Sequence, residues 1–132
     1  MAVTATTQIV YDGLRNVVMQ FTGTGDGSGD ETNVVKVDCT ALNPPCKAVA
    51  IKRINYDVGY GVVELLWEDA MGQHVPFAEL TEAGGPISYK HIRSLPNGGP
   101  DTATGNILIS TKGFELNSTY TIMLEMRKKD KL

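Results

Sequence analysis

Apolar and polar residues alternate with a period of two along much of this chain, the mark of strands with one buried face. In Arg15–Thr22, Val17, Met19 and Phe21 fall on one side and Asn16, Val18 and Gln20 on the other. Thr32–Leu42 repeats the pattern with Val35, Val37 and Cys39. Asn106–Thr111 reads as a further strand. Ser118–Lys128 is the strongest: Tyr120, Ile122, Leu124 and Met126 point to a core, while Thr119, Thr121, Glu125 and Arg127 point away. His74–Leu80 is a short strand broken by Pro76, which cannot donate to a ladder and therefore predicts an edge strand or a poorly paired segment.

The pattern is organised around residues 48–69. Two β-rich runs, Ala48–Tyr56 and Val62–Trp67, flank Asp57-Val58-Gly59-Tyr60-Gly61. Two glycines beside an Asp are turn chemistry, so the runs read as an antiparallel hairpin that carries the chain's one Trp. Apolar parity shifts from odd (Val49, Ile51) to even (Ile54, Tyr56, Val58), which predicts a β-bulge at Lys52-Arg53. Asn43-Pro44-Pro45 ends the preceding strand and predicts a turn or a crossing between sheets, the crossing being what a sandwich requires. Gly23–Glu31 (GTGDGSGDE) reads as a surface or hairpin loop, and 81–105 as the least regular stretch. The expected fold is all-β: an antiparallel β-sandwich, jelly-roll-like or Greek key, of about seven to nine strands with long irregular loops. Residues 1–13 form a first strand or an extended arm, 14–128 a single β-sandwich domain, and 129–132 a basic C-terminal tail.

Size agrees with one domain. A 14.3 kDa chain should expose roughly 6,800 Å² folded against about 21,000 Å² unfolded, enough burial for a core without staples. The net charge of −3 argues against non-specific nucleic-acid binding, which needs a surplus of Lys and Arg along one face. The charge is uneven, since residues 127–132 (RKKDKL) hold four cations against one anion. That end reads as a solvated tail, or else as a tether to an acidic neighbour or to a nucleic-acid-lined wall. The start, MAVTATTQIV, lacks a basic leader and an apolar core, and no run approaches a membrane span, so cytoplasmic synthesis and no membrane partner are expected.

A search for reactive chemistry yields no expected catalytic, cofactor-binding or metal residues. Ser94, His91 and Asp101 make a trio of the kind almost any domain offers, without a nucleophile elbow. Glu64 and Glu68 share a strand face as a solvent stripe would. The acids of 23–31 lack the spacing of a calcium loop. Cys39 and Cys46 enclose TALNPP with no His beside them, which disfavours zinc; two thiols or one disulfide both fit the spacing. The chain is expected not to be an enzyme. A long irregular stretch in a small domain is often partner-bound, so Tyr89, His91, Arg93 and Leu95 are candidate partner contacts. Ile9 and Tyr11 join them, because a short N-terminal strand can add to another chain's sheet edge.

The framework pieces YDGLRNVVMQFTG (11–23), VVKVD (34–38), IKRINYDV (51–58), VVELLWED (62–69), TGNILIST (104–111) and STYTIMLEMRKK (118–129) span nearly the whole chain. Together they resemble small all-β virion structural proteins of tailed bacteriophages. The resemblance implies residence in a virion; size and the all-β pattern suggest a capsid decoration, or cement, protein that stabilises the outer surface of the head shell. Its partners would be the major capsid protein and further copies of itself, a trimer on a local symmetry axis being one arrangement that multiplies weak contacts. Alternatives are another virion part (tail, neck, fibre or head-spike module) and a carbohydrate-binding β-sandwich that stacks sugars on Trp67, Tyr60 or Tyr89.

Overall fold

The structure, a computed structural model, describes residues 3–81, 83–89, 92, 94–98 and 103–129. Among them run nine strands: β1 (Val3–Asp12), β2 (Asn16–Gly25), β3 (Val34–Val37), β4 (Ala48–Val58), β5 (Val62–Asp69), β6 (Val75–Leu80), β7 (Ala83–Ser88), β8 (Ala103–Lys112) and β9 (Thr119–Lys129). They form a five-stranded sheet in the order β1-β2-β9-β4-β7 and a four-stranded sheet in the order β3-β8-β5-β6. Every strand pairing is antiparallel. The fold is therefore the expected all-β sandwich. The folded surface is 6950 Å², close to what the chain's mass predicts.

The core lies between the sheets and is built by the period-two residues. Val17, Met19 and Phe21 of β2 meet Tyr120, Ile122, Leu124 and Met126 of β9, and the opposite sheet supplies Val63, Leu65, Trp67, Ile107 and Ile109. Trp67 is buried and stacks on Phe77, ring centroids 4.0 Å apart. The bulge on β4 falls where the parity shift placed it, between Ile51 and Arg53.

The expected hairpin at 48–69 does not exist. β4 belongs to the five-stranded sheet and β5 to the four-stranded one, so the two arms never pair. Asp57–Gly61 is an arch between layers. Val58 stays opposite Tyr120, and Gly59 N–H donates to Thr119 O at 2.8 Å, which ties the end of β4 to β9. The chain then leaves the sheet through Tyr60 and Gly61, both at positive φ (106° and 95°). A Cβ on Gly61 would sit 2.7 Å from the Phe114 ring, so glycine is needed there for space as well as for backbone angle. Turn chemistry marks a reversal; it does not say whether the partner strand lies beside or across.

Other boundaries also move. Gly23–Gly25, read as loop, complete β2 against Tyr120 and Thr119. The strand expected over Thr32–Leu42 shortens to Val34–Val37 and is followed by a 3-10 turn over Cys39–Ala41, capped by Asp38, whose carboxylate accepts from Thr40 N–H. β9 runs through Lys129, and the last three residues of the expected tail lie outside the described residues. Both cysteines are free thiols, and burial pushes both thiols above their ordinary range.

The acids of the 26–33 connection hold the sandwich end shut. Asp30 accepts from Gly113 N–H (3.1 Å), Phe114 N–H (2.8 Å) and the Thr111 hydroxyl (3.2 Å). Glu31 is buried, pairs with Lys36 at 2.9 Å and accepts the Tyr120 hydroxyl at 2.6 Å. Burial drives the Tyr120 phenol well above its usual range, and the Glu31 carboxylate beside it raises it further. Both carboxylates, which the sequence offers as loop acids, thus meet donors at this end of the sandwich, Asp30 at the surface and Glu31 as a buried charge that needs them.

Candidate interaction surface

A two-sheet sandwich has four edges, and each exposes unpaired backbone groups that another strand could join. Three of the four are guarded. β7 (AGGPIS) is six residues with Pro86 inside it. β6 (VPFAEL) contains Pro76, and its register with β5 shifts between Leu65 and Leu66. β3 is four residues long, carries Lys36, and shifts register against β8. Shortness, proline, charge and bulges are the usual means of blocking edge pairing.

β1 has almost none of these. It is ten residues long, VTATTQIVYD, with no proline and no charge before Asp12. Its register with β2 is unbroken from Val3↔Gly25 to Ile9↔Met19, and only then shifts before Tyr11. Thr, Val and Ile favour extended backbone, and the β2 ladder supplies the hydrogen bonds. The far end is pinned: the Asp12 carboxylate accepts from Asn43 N–H at 2.8 Å and from Lys128 Nζ at 2.5 Å. Partial burial raises the Asp12 carboxyl, but the Lys128 and Asn43 hydrogen bonds and the Lys128 charge outweigh it and hold the group below its ordinary value.

The four-stranded sheet leaves residues 6–11 of β1 uncovered. Residues 6–11 are exposed without alternation, on both faces. Ile9 is 50% exposed, Val10 48% and Tyr11 58%, and Leu14 in the following turn 77%. Four apolar side chains thus stand in solvent along one edge, an uncommon concentration on a chain this size.

The predicted partner contacts divide accordingly. Ile9 and Tyr11 lie on this exposed strand. Tyr89 and Leu95 are half-buried and pack against the core cluster instead. Leu95 exchanges both backbone hydrogen bonds with Ile51 (2.8 and 2.7 Å), and Tyr89 N–H donates to Lys52 O, so this segment extends β7's cover of β4. His91 and Arg93 lie outside the described residues. Val10 and Leu14 belong to the surface as well; Leu14, between Gly13 and Arg15, gave no period-two signal to find it by.

A second surface is the outer face of the five-stranded sheet. Its rows cross all five strands: Gln8–Gln20–Met123–Asn55–Pro86 and Thr6–Thr22–Thr121–Asp57–Gly84. A shallow depression of about 250 Å³ lies here, lined by Gln20, Asn55, Tyr56, Asp57, Thr121 and Met123. Of the rings proposed for sugar stacking, Trp67 is buried in the core and Tyr60 is exposed on the arch. No group of three or more His, Cys, Asp or Glu that could hold a metal occurs among the described residues.

No protein-family model matches the chain, and no curated protein matches it in sequence. Solved structures with a similar course include a mutant family 29 carbohydrate-binding module, at TM-score 0.42 and 8% identity, covering 97% of this chain and 88% of that one. Another family 29 mutant gives TM-score 0.42 and 8% identity, covering 97% and 94%. The family 11 carbohydrate-binding module from Clostridium thermocellum, in complex with a β-1,3-1,4-mixed-linked tetrasaccharide, gives TM-score 0.40 and 12% identity, covering 99% and 86%. These are loose likenesses of two-sheet β architecture, and nothing about a ligand follows from them.

Proposed function

We propose that this chain is a non-catalytic structural protein of a virus particle, a decoration protein on the outer surface of a bacteriophage head shell. The observation that carries the reading is the open edge of β1: ten residues, uncharged before Asp12, with Ile9, Val10 and Tyr11 exposed. Proteins that remain solitary block such edges. The first occupant of this edge is a second copy of the chain. The strand is neutral over residues 3–11, so two copies pair there without like-charge repulsion although each chain carries −3. A two-fold pairing presents the same patch from both sides, which strand addition satisfies directly. Repeated weak contacts of such a plate with equivalent sites on a shell then add through multivalency. The likeness of the framework segments to tailed-phage virion proteins supports the same reading.

The test is stoichiometry on purified particles. A copy number comparable to the shell protein's is expected. A few copies per particle would move the chain to the tail, neck, fibre or spike, and absence from particles would overturn the reading.

A carbohydrate-binding role is the second reading, favoured by the depression on the five-stranded sheet. Its amides, hydroxyl and carboxylate (Gln20, Asn55, Thr121, Asp57) are the donor and acceptor types that sugar hydroxyls pair with. Affinity electrophoresis against soluble polysaccharides tests it. Retardation of the wild type that Asn55→Ala abolishes supports it, and equal mobility in every gel ends it.

A further inference from the structure

A recess lies at the opposite end of β9 from the arch. It measures about 550 Å³ and is lined by Leu14 and Arg15, by Pro44, Pro45 and Cys46, and by the last strand residues Arg127, Lys128 and Lys129. Four of the chain's 12 Lys and Arg residues line one recess on a protein whose net charge is −3. One acid beside it is already committed, because Asp12 bonds Lys128 at 2.5 Å. Lys128 also donates to Pro44 O at 2.9 Å and is nearly buried, so it serves the fold. Arg15, Arg127 and Lys129 make no ion pair among the described residues.

The backbone that carries these cations is fixed. Lys128 N–H donates to Arg15 O at 2.6 Å, and Lys47 N–H donates to Lys129 O at 3.0 Å. The end of β9 is therefore clamped between the start of β2 and the turn after the two prolines. Like charges held together on rigid backbone repel one another, and the repulsion is relieved when an anion enters. Arg15 and Arg127 each carry a planar guanidinium fork, a group that matches the oxygens of a tetrahedral anion, and Leu14 with the prolines gives an apolar rim. The volume exceeds what a bare oxyanion needs.

We propose that this recess binds a phosphate or sulfate group borne on a small organic ligand, gripped by Arg15, Arg127 and Lys129. The test is titration calorimetry of the whole chain with inorganic pyrophosphate and, separately, with a sulfated disaccharide, each against sodium chloride at equal ionic strength. Saturable one-to-one binding of at least one probe is expected. The double substitution Arg15→Ala with Arg127→Ala, both at exposed side chains, weakens it by about tenfold or more, the worth of a charge-assisted hydrogen bond. Lys112→Ala, on the other sheet, leaves it unchanged. Preference for pyrophosphate assigns a phosphorylated ligand, preference for the disaccharide a sulfated one, and equal binding the shared oxyanion chemistry. No saturable heat with either probe, or an equal loss in Lys112→Ala, overturns the proposal. None of these outcomes bears on the β1 edge or on the decoration role, which are read by sedimentation and by stoichiometry on particles.

Discussion

β1 and β9 lie one strand apart in the same sheet and are almost equal in length, ten and eleven residues. Their circumstances are opposite. β9 is paired on both sides, by β2 and β4, and buries Tyr120, Ile122, Leu124 and Met126. β1 is paired on one side only, and its residues 6–11 are exposed on both faces. The difference separates two roles that a strand can have. Burial of β9 stabilises the fold. β1 is held by its ladder and the Asp12 clamp, and its apolar side chains add little to a single chain's stability.

The largest expected effect is therefore on β9. Leu124→Ala should lose about 2–5 kcal/mol of unfolding free energy in guanidinium titration, through lost burial and the cavity left behind. Ile9→Ala on β1 should stay within about 0.5 kcal/mol in the same titration at low protein concentration. Equal losses would break the comparison.

Next comes the polar end of β9. Tyr120→Phe removes the donor to buried Glu31 and should cost about 1–3 kcal/mol, while Lys36 still holds the carboxylate. The phenol also gives an alkaline signature. Its folded value is raised, so its contribution is complete below about pH 10 and is lost as pH rises above that, because the unfolded chain ionises first. Tyr120→Phe should show a shallower alkaline loss of stability.

The smallest effect concerns the clamp on β1. Asp12 is held below its ordinary value, so its contribution is complete above about pH 4 and is lost as pH falls through the lower folded value. Asp12→Asn should flatten the acid limb of the stability curve and leave the neutral plateau slightly lower. If the acid limb does not change, β1 is not anchored through this carboxylate.

Most strands were legible from the sequence because they obey a local rule; β7 (AGGPIS), inside the stretch read as least regular, shows no alternation and was not. Val17, Met19 and Phe21, and Tyr120 through Met126, bury one face, and period-two alternation records that directly. The bulge beside Arg53 left its mark as a parity change. Which strand neighbours which is not a local property. The arch at Tyr60 and Gly61 carries the residues of a hairpin turn yet joins two sheets, because Phe114 and Thr119, more than fifty positions away, decide where the chain can go. Glu31 is the same lesson in charge: a loop acid by pattern, a buried partner of Lys36 and Tyr120 by structure. For the candidate surface, the apolar run Ile9-Val10-Tyr11 was visible, but its exposure was not. Apolar residues on a strand ordinarily mean core, and only the shorter opposing sheet leaves these in solvent. Tyr89 and Leu95 show the converse, an irregular segment that the fold uses as cover for β4.

The central claim is that β1's open edge joins copies of the chain, and sedimentation velocity tests it most directly. Wild type should sediment as a dimer at high micromolar concentration. The variant Thr6→Lys with Gln8→Lys, which charges the edge at two exposed positions, should sediment as a monomer with an unchanged melting temperature. A wild type that stays monomeric under those conditions, or a charged variant that still pairs, would contradict it.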